Sequence, residues 1–397
     1  MPVTEPIERD TIWHRQFIIA LLGYFFLFLS ITLFFIFPLF FEQFQASKSR
    51  IGMIMGIHSL TAIFVRPVFG RLIDLRGSRT ISLLGIALLF LVTPGFHLIR
   101  DAGLLPLVLR ALTGIGWGIS MTAAITICSD LAPVNRLARS MGIIGVAGLL
   151  SAALGPLLGE EIIRRFGFPW LFNTSLAFLG ISFLCMYLTR EMRPLDNNNG
   201  KRFHVPGAIL KMSLFPIILI ALMPISHGAV RSTVVNFIAL FVRSIPLERV
   251  GPFFVAFSGA AIATRVFFGD LSDRYGRKQV ILPSVGLIAL NLVLISRTHS
   301  PWMLVLTGVL GGVGQGLIFP ALSTYIIDTM GRENKGLAIS LYLTFFDMGM
   351  AGGSVLFGWV SDLYGFRSMY LIAAAATTVV VMFFSWKAPS PDRGEPG

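Results

Sequence analysis

Continuous apolar runs of about 20 residues recur along the whole chain, separated by short stretches where Arg, Lys, Asp and Gly collect. A helix needs about that length to cross the hydrocarbon of a bilayer. The runs do not alternate in polarity, and open sheet edges cannot be satisfied in lipid, so strands are a poor reading. Spans are expected near 17–41, 51–69, 80–99, 104–127, 140–161, 168–188, 212–241, 249–269, 279–296, 301–327, 336–360 and 366–386. The predicted fold is therefore an all-α polytopic membrane protein with twelve transmembrane helices. The first run lacks a small-residue cleavage site and reads as a retained helix rather than a signal peptide.

Composition agrees: 55% of the residues are hydrophobic and 13% charged, and a soluble domain carries about twice that charged share. The net charge of +12 raises the question of nucleic acid. Placed on the span map with the N-terminus cytoplasmic, 19 of the 32 Lys and Arg fall in cytoplasmic segments and 13 in outside segments or within spans. That bias is the positive-inside rule, so the basicity needs no nucleic-acid partner, and both termini are expected in the cytoplasm of a cell whose inner membrane the chain crosses. Cys128 and Cys185 suggest neither a disulfide framework nor a metal site.

A polar, Asn-rich stretch, "TREMRPLDNNNGKRFHVPG", separates spans six and seven. It divides the chain into an N-terminal tail (1–16), a first six-span bundle (17–188), a linker (189–211), a second bundle (212–386) and a C-terminal tail (387–397). The halves repeat one another. "RPVFGRLIDLRG" from Arg66 and "RVFFGDLSDRYG" from Arg265 share an Arg, two Gly and an Asp at an offset of 199, and "GIGWG" from Gly114 matches "GVGQG" from Gly312 at 198. Asp130 matches Asp328, and Gly167 matches Gly365. Such duplication implies two pseudo-symmetric six-helix bundles with a cavity where they meet.

With its six plus six spans, basic linker and G-x-x-x-D-R-x-G-R-[RK] loops after spans two and eight, the chain resembles the major facilitator superfamily over essentially its whole length. The second loop is complete in Gly269, Asp273, Arg274, Gly276, Arg277 and Lys278; the first keeps Gly70, Asp74, Gly77 and Arg79 but has Leu75 in place of Arg. These residues, with Asp130 and Asp328, form the expected cytoplasmic gate. In it Asp74 and Asp273 meet the positive N-terminal end of a helix of the opposite half, or else the charges serve only as topology anchors. "LRALTGIGWG" resembles the fourth-helix pattern of proton-coupled drug antiporters, with Arg110 at the coupling position and Thr113 replacing the usual Gln. "GVAGLLSAALGPLLGEE" resembles the antiporter motif of span five through Gly145, Gly148, Gly155, Pro156 and Gly159, with Glu160 in place of the last Gly. Its small residues are expected to pack span five closely on span eight, with the Pro as a kink; ordinary helix packing is the plainer reading.

Polar groups within spans are expensive and tend to be functional. Asp347 is the one carboxylate near the middle of a span, which suits a proton carrier, and with Arg110 it makes the expected coupling pair; a structural, ion-paired Asp is the alternative. Arg66 and Arg265, one turn from the cytoplasmic ends of their spans, either face the cavity or snorkel to the interface. His227 and Arg231 stand four apart on span seven, between a Pro and other polar residues, as a cavity wall would. Tyr24, Phe28, Trp117, Asn236, Gln315 and Phe346 complete the candidate cavity, together with His58, whose simpler role is an interhelical hydrogen bond.

The chain carries no zinc motif, phosphate loop or nucleophile elbow, so no enzyme is expected. The expected function is secondary transport by alternating access: proton-coupled export of an amphipathic small molecule by a monomer in the lipid bilayer, with no cofactor and a proton gradient as the energy source. Proton-coupled uptake of an anionic metabolite, with Arg231, His227 and Arg66 or Arg265 as counter-charges, and transport of an amphipathic lipid are the alternatives. A non-transporting receptor would need an added signalling segment.

Overall fold

The computed structural model describes residues 11–133, 136–190, 214–331 and 335–387. Its regular structure is helical throughout, with no strand among the described residues. The membrane helices are α1 (Arg15–Thr32, tightening into 3₁₀ turns over Leu33–Phe44), α2 (Lys48–Arg76), α3 (Ser78–Val92), α4 (Leu104–Asp130), α5 (Leu137–Phe166) and α6 (Phe168–Leu188) in the first half. In the second half come α7 (Leu214–Ser244), α8 (Gly251–Phe268), α9 (Arg277–Ser296) and α10 (Pro301–Met330). The final helical run, Lys335–Lys387, breaks at Gly365 (φ 77°), which divides it into α11 (335–364) and α12 (366–387). With that run divided, twelve membrane-length helices are present among the described residues, in the expected order.

Several helices outrun their apolar stretches. The spans expected at 51–69 and 301–327 belong to helices of 29 and 30 residues, because polar helix ends continue past the hydrocarbon. The chain reverses between α2 and α3, and before α9, at Gly77 (φ 92°) and Gly276 (φ 100°), in a backbone region that disfavours other residues.

The internal repeat is visible contact by contact. Gly114 of α4 lies on the carbonyl of His58 in α2, and Gly312 of α10 lies on the carbonyl of Phe257 in α8. Gly118 meets Ala62 as Gly316 meets Ala261, and Gly116 meets Gly85 as Gly314 meets Ser284. Each partner is displaced by the same 199 residues. A side chain at these points would collide with neighbouring backbone, so glycine sets how closely α4 and α10 approach their bundles.

Candidate functional site

Both termini-proximal ends, Arg15 and Lys387, lie on one face of the bundle pair; that face and the opposite, distal face behave differently. On the distal face the halves are joined twice, in the same way. Glu160, near the end of α5, accepts hydrogen bonds from the backbone N–H groups of Val250 (2.8 Å) and Gly251 (2.7 Å) at the start of α8. Asp362, near the end of α11, accepts from Lys48 and Ser49 (both 2.8 Å) at the start of α2. Under the repeat α5 corresponds to α11 and α8 to α2, so these are pseudo-symmetric copies. The first N–H groups of a helix have no partner within it and carry its positive dipole end, so a carboxylate from the other half satisfies both needs. Beneath them Gly52 and Gly56 of α2 lie against the carbonyls of Ser354 and Ala351 in α11, which seals that side.

Toward the termini face the halves part. Gly70 of α2 and Gly142 of α5 have no neighbour within 4 Å of a notional Cβ. Leu75 and Phe267, near the ends of α2 and α8, are 71% and 77% exposed. The structure is closed on the distal face.

Midway, one ion pair spans the halves: Arg66 of α2 with Asp347 of α11. Arg265 of α8 also reaches across. Its Nη1 lies 3.2 Å from the notional Cβ of Gly145 in α5, and its guanidinium sits 5.5 Å from the Phe319 ring centroid. Aromatic rows line both sides: Tyr24, Phe28 and Trp117, with successive centroids 5.8 and 5.1 Å apart, and Phe319, Tyr342 and Phe346, at 5.3 and 6.2 Å. His227 backs the second row, with Nε2 2.9 Å from Oε1 of Gln315 and Nδ1 3.2 Å from the Tyr342 hydroxyl. A neutral ring protonated at Nε2 satisfies both contacts, donating to Gln315 and accepting from Tyr342. The side chains brought together where the halves meet are aromatic, with one carboxylate and two guanidinium groups among them, a chemistry that suits a flat amphipathic guest.

Several sequence expectations need correction. Asp347, one of the two residues expected in coupling, pairs with Arg66, and Arg110 stands apart from them. Arg110 is 5% exposed, within the first bundle, with its guanidinium 5.9 Å from the Phe34 ring centroid. It sits two turns from the distal start of α4, whereas Arg66 and Asp347 meet midway along their helices. Arg66 and Arg265 face inward, so neither snorkels to the interface. His58 is held between α2 and α4 by Thr113 (3.3 Å), as an interhelical donor or acceptor rather than a cavity residue. Asn236 is likewise no cavity residue: it is 4% exposed and donates to the Ser354 hydroxyl (2.7 Å), tying α7 to α11. Arg231 points into the second bundle, over Phe257, and not into the chamber between the halves.

The glycines of α5 also meet a different helix from the one expected. Gly148 faces Tyr24, Gly155 faces Thr32 and Gly159 faces Ile36, all in α1 or its 3₁₀ extension, with Pro156 inside the helix between them. Of these glycines Gly145 turns to α8, and α5 still packs closely along α8, as expected, with Leu157 and Glu160 against Gly251. On the termini face the side chains of Asp74 and Asp273 lie outside the described residues. Arg277 pairs with Asp328 (3.1 Å) and donates to Ser272 (2.9 Å) within its own half. Arg79 donates to the Tyr187 carbonyl (2.5 Å) within the other half. Gly269 packs against its own helix, and Arg274 is exposed. The residues missed from sequence are Glu160 and Asp362. Their signal was an acid at the distal end of span five and another just past the distal end of span eleven.

A family model described as "Major Facilitator Superfamily" matches residues 20–248 and 220–397. The chain is 28% identical to a multidrug resistance protein MdtG of Dickeya zeae (strain Ech586), over 97% of this chain and 96% of that one. It is 26% identical to the MdtG protein of Salmonella typhi, over 96% and 97%. Among solved structures, the nucleoside transporter NupG superposes with a TM-score of 0.79 at 12% identity, covering 95% of this chain and all of that one. The human organic anion transporter MFSD10 superposes with a TM-score of 0.68 at 17% identity, covering 95% and 99%.

Proposed function

Because the chain belongs to the Major Facilitator Superfamily, and so is a multi-pass membrane transporter rather than an enzyme, we propose that it exports amphipathic small molecules in exchange for protons. The observation that carries this reading is the Arg66–Asp347 pair, set between two aromatic rows where the halves meet. The printed name of the MdtG relatives, multidrug resistance protein, supports the direction. With the positive-inside orientation the termini face is cytoplasmic, and the sealed distal face is the outer one.

In this state the Asp347 carboxylate and the Arg66 guanidinium neutralise one another in the chamber, as buried charges must. A proton reaching Asp347 from the outward-open state removes that attraction and leaves Arg66 free to turn to solvent or substrate. Loss of the proton to the cytoplasm restores the pair. Substrate and proton thus act on one link between the halves, which is what coupling by alternating access needs. Each copy of the chain contains a complete chamber, so a monomer suffices.

A second reading, uptake of an organic anion, draws support from Arg265, whose Nε is buried without a hydrogen-bond partner beside the chamber. Purified protein in proteoliposomes distinguishes the two. An outward-directed proton gradient, with the lumen acidic, should drive accumulation of amphipathic cationic dyes by inside-out protein. Accumulation of organic anions alone, or dye movement indifferent to the gradient, would refute proton-coupled export.

A further inference from the structure

The interior of the second bundle holds a polar place apart from the chamber. Arg231, Asn291, His227, Phe257 and Gln315 line a cavity of about 20 Å³ enclosed by α7, α8, α9 and α10. That is room for one water-sized guest. Two of its lining atoms, Nη1 of Arg231 and Oδ1 of Asn291, are buried with no hydrogen-bond partner. Asn291 is only 2% exposed, and no hydrogen bond to a described residue fixes its amide, so a half-turn presents its NH2 group to the cavity.

The charge balance is more telling than the hydrogen bonds. Arg231 forms no ion pair with any described residue; the π face of Phe257 lies 4.5 Å from its guanidinium. Arg231 is partly exposed with its Nη1 buried, and a cation–π contact returns only part of the hydration that a cation desolvated without a counter-charge loses. His227 cannot help, because its ring nitrogens are engaged with Gln315 and Tyr342. Water in the cavity would satisfy the hydrogen bonds and leave the charge unbalanced.

We propose that this cavity binds a small monovalent anion of halide size, held by the guanidinium of Arg231 and the amide of Asn291. The site belongs to the second bundle alone and does not depend on the direction of transport or on proton coupling. A carboxylate would meet the same donors, but a cavity with room for one water-sized guest does not hold the larger ligand to which it is tethered.

The test uses the purified full-length protein. Its melting temperature is compared in sodium gluconate, chloride, bromide and formate at constant ionic strength, since a ligand of the native state raises apparent stability. Chloride and bromide should give a saturable rise of a few degrees. Arg231→Gln should lose that rise. Should that variant not fold, Asn291→Asp carries the test, because it builds a carboxylate into the cavity wall in nearly the same volume. It should be at least as stable in gluconate as the parent in chloride, and indifferent to halide. Bromide-soaked crystals should show anomalous density in contact with Arg231. Halide-independent melting of the parent, a halide response retained in Asn291→Asp, or a response to formate alone would each overturn the proposal.

Discussion

Replacing Glu160 by Gln and Asp362 by Asn together should open the distal face. Each carboxylate receives two backbone N–H groups from a helix start of the opposite half, at 2.7–2.8 Å. Hydrogen bonds to a charged group are worth about 1.5–3 kcal/mol each, and the helix dipole adds about 0.3–1 kcal/mol. The amide keeps one acceptor oxygen and loses the charge. Allowing for partial exposure of both sites, the loss is about 1–2 kcal/mol per substitution. The two sites lie on different helix pairs, so their effects should add to about 2–4 kcal/mol, a population shift of roughly 30- to 700-fold. The reporter is Ser354→Cys, buried against α2, in a background with Cys128 and Cys185 replaced. Its labelling by a membrane-impermeant thiol reagent from the distal side should accelerate by that factor in the double variant and by its square root in each single one. Unchanged labelling in the double variant would refute the assignment of these carboxylates as the distal latch.

Asp347→Asn should abolish gradient-driven movement while substrate binding, read by fluorescence quenching, persists; full uphill activity would remove Asp347 from coupling. Gly52→Val places a side chain against the Ser354 carbonyl, so it should bar distal closure and leave the reporter cysteine permanently reactive. Gly276→Ala, at φ 100°, should lower stability by about 1–2 kcal/mol, seen as a lower melting temperature with substrate affinity unchanged.

The duplicated architecture was readable because glycine leaves a trace in sequence wherever two backbones touch. Gly114 and Gly312 keep their spacing since α4 and α10 approach their neighbours by the same geometry. The Arg66–Asp347 pair was not readable: its members are 281 residues apart, in different halves, and nothing in either span says which helix of the other half it will face. Arg110 was the natural guess from its motif, yet it lies near the distal end of α4, inside its own bundle. Glu160 read as a departure from a glycine motif, when its carboxylate is what fastens α5 to α8. The function of a charged residue at a helix end depends on the partner helix, and hydrophobic periodicity carries no information about that partner.

Rocking of the two bundles is tested most directly by paired distances from electron–electron double resonance. One spin-label pair joins Leu75→Cys to Phe267→Cys on the termini face, and another joins Phe166→Cys to Trp302→Cys on the distal face, all exposed and each pair spanning the halves. Adding a transported compound and lowering the pH should shorten the first distance and lengthen the second in the same population. Distances that change in the same direction, or a termini-face distance that closes while the distal one stays fixed, would contradict a rigid pivot about the central pair.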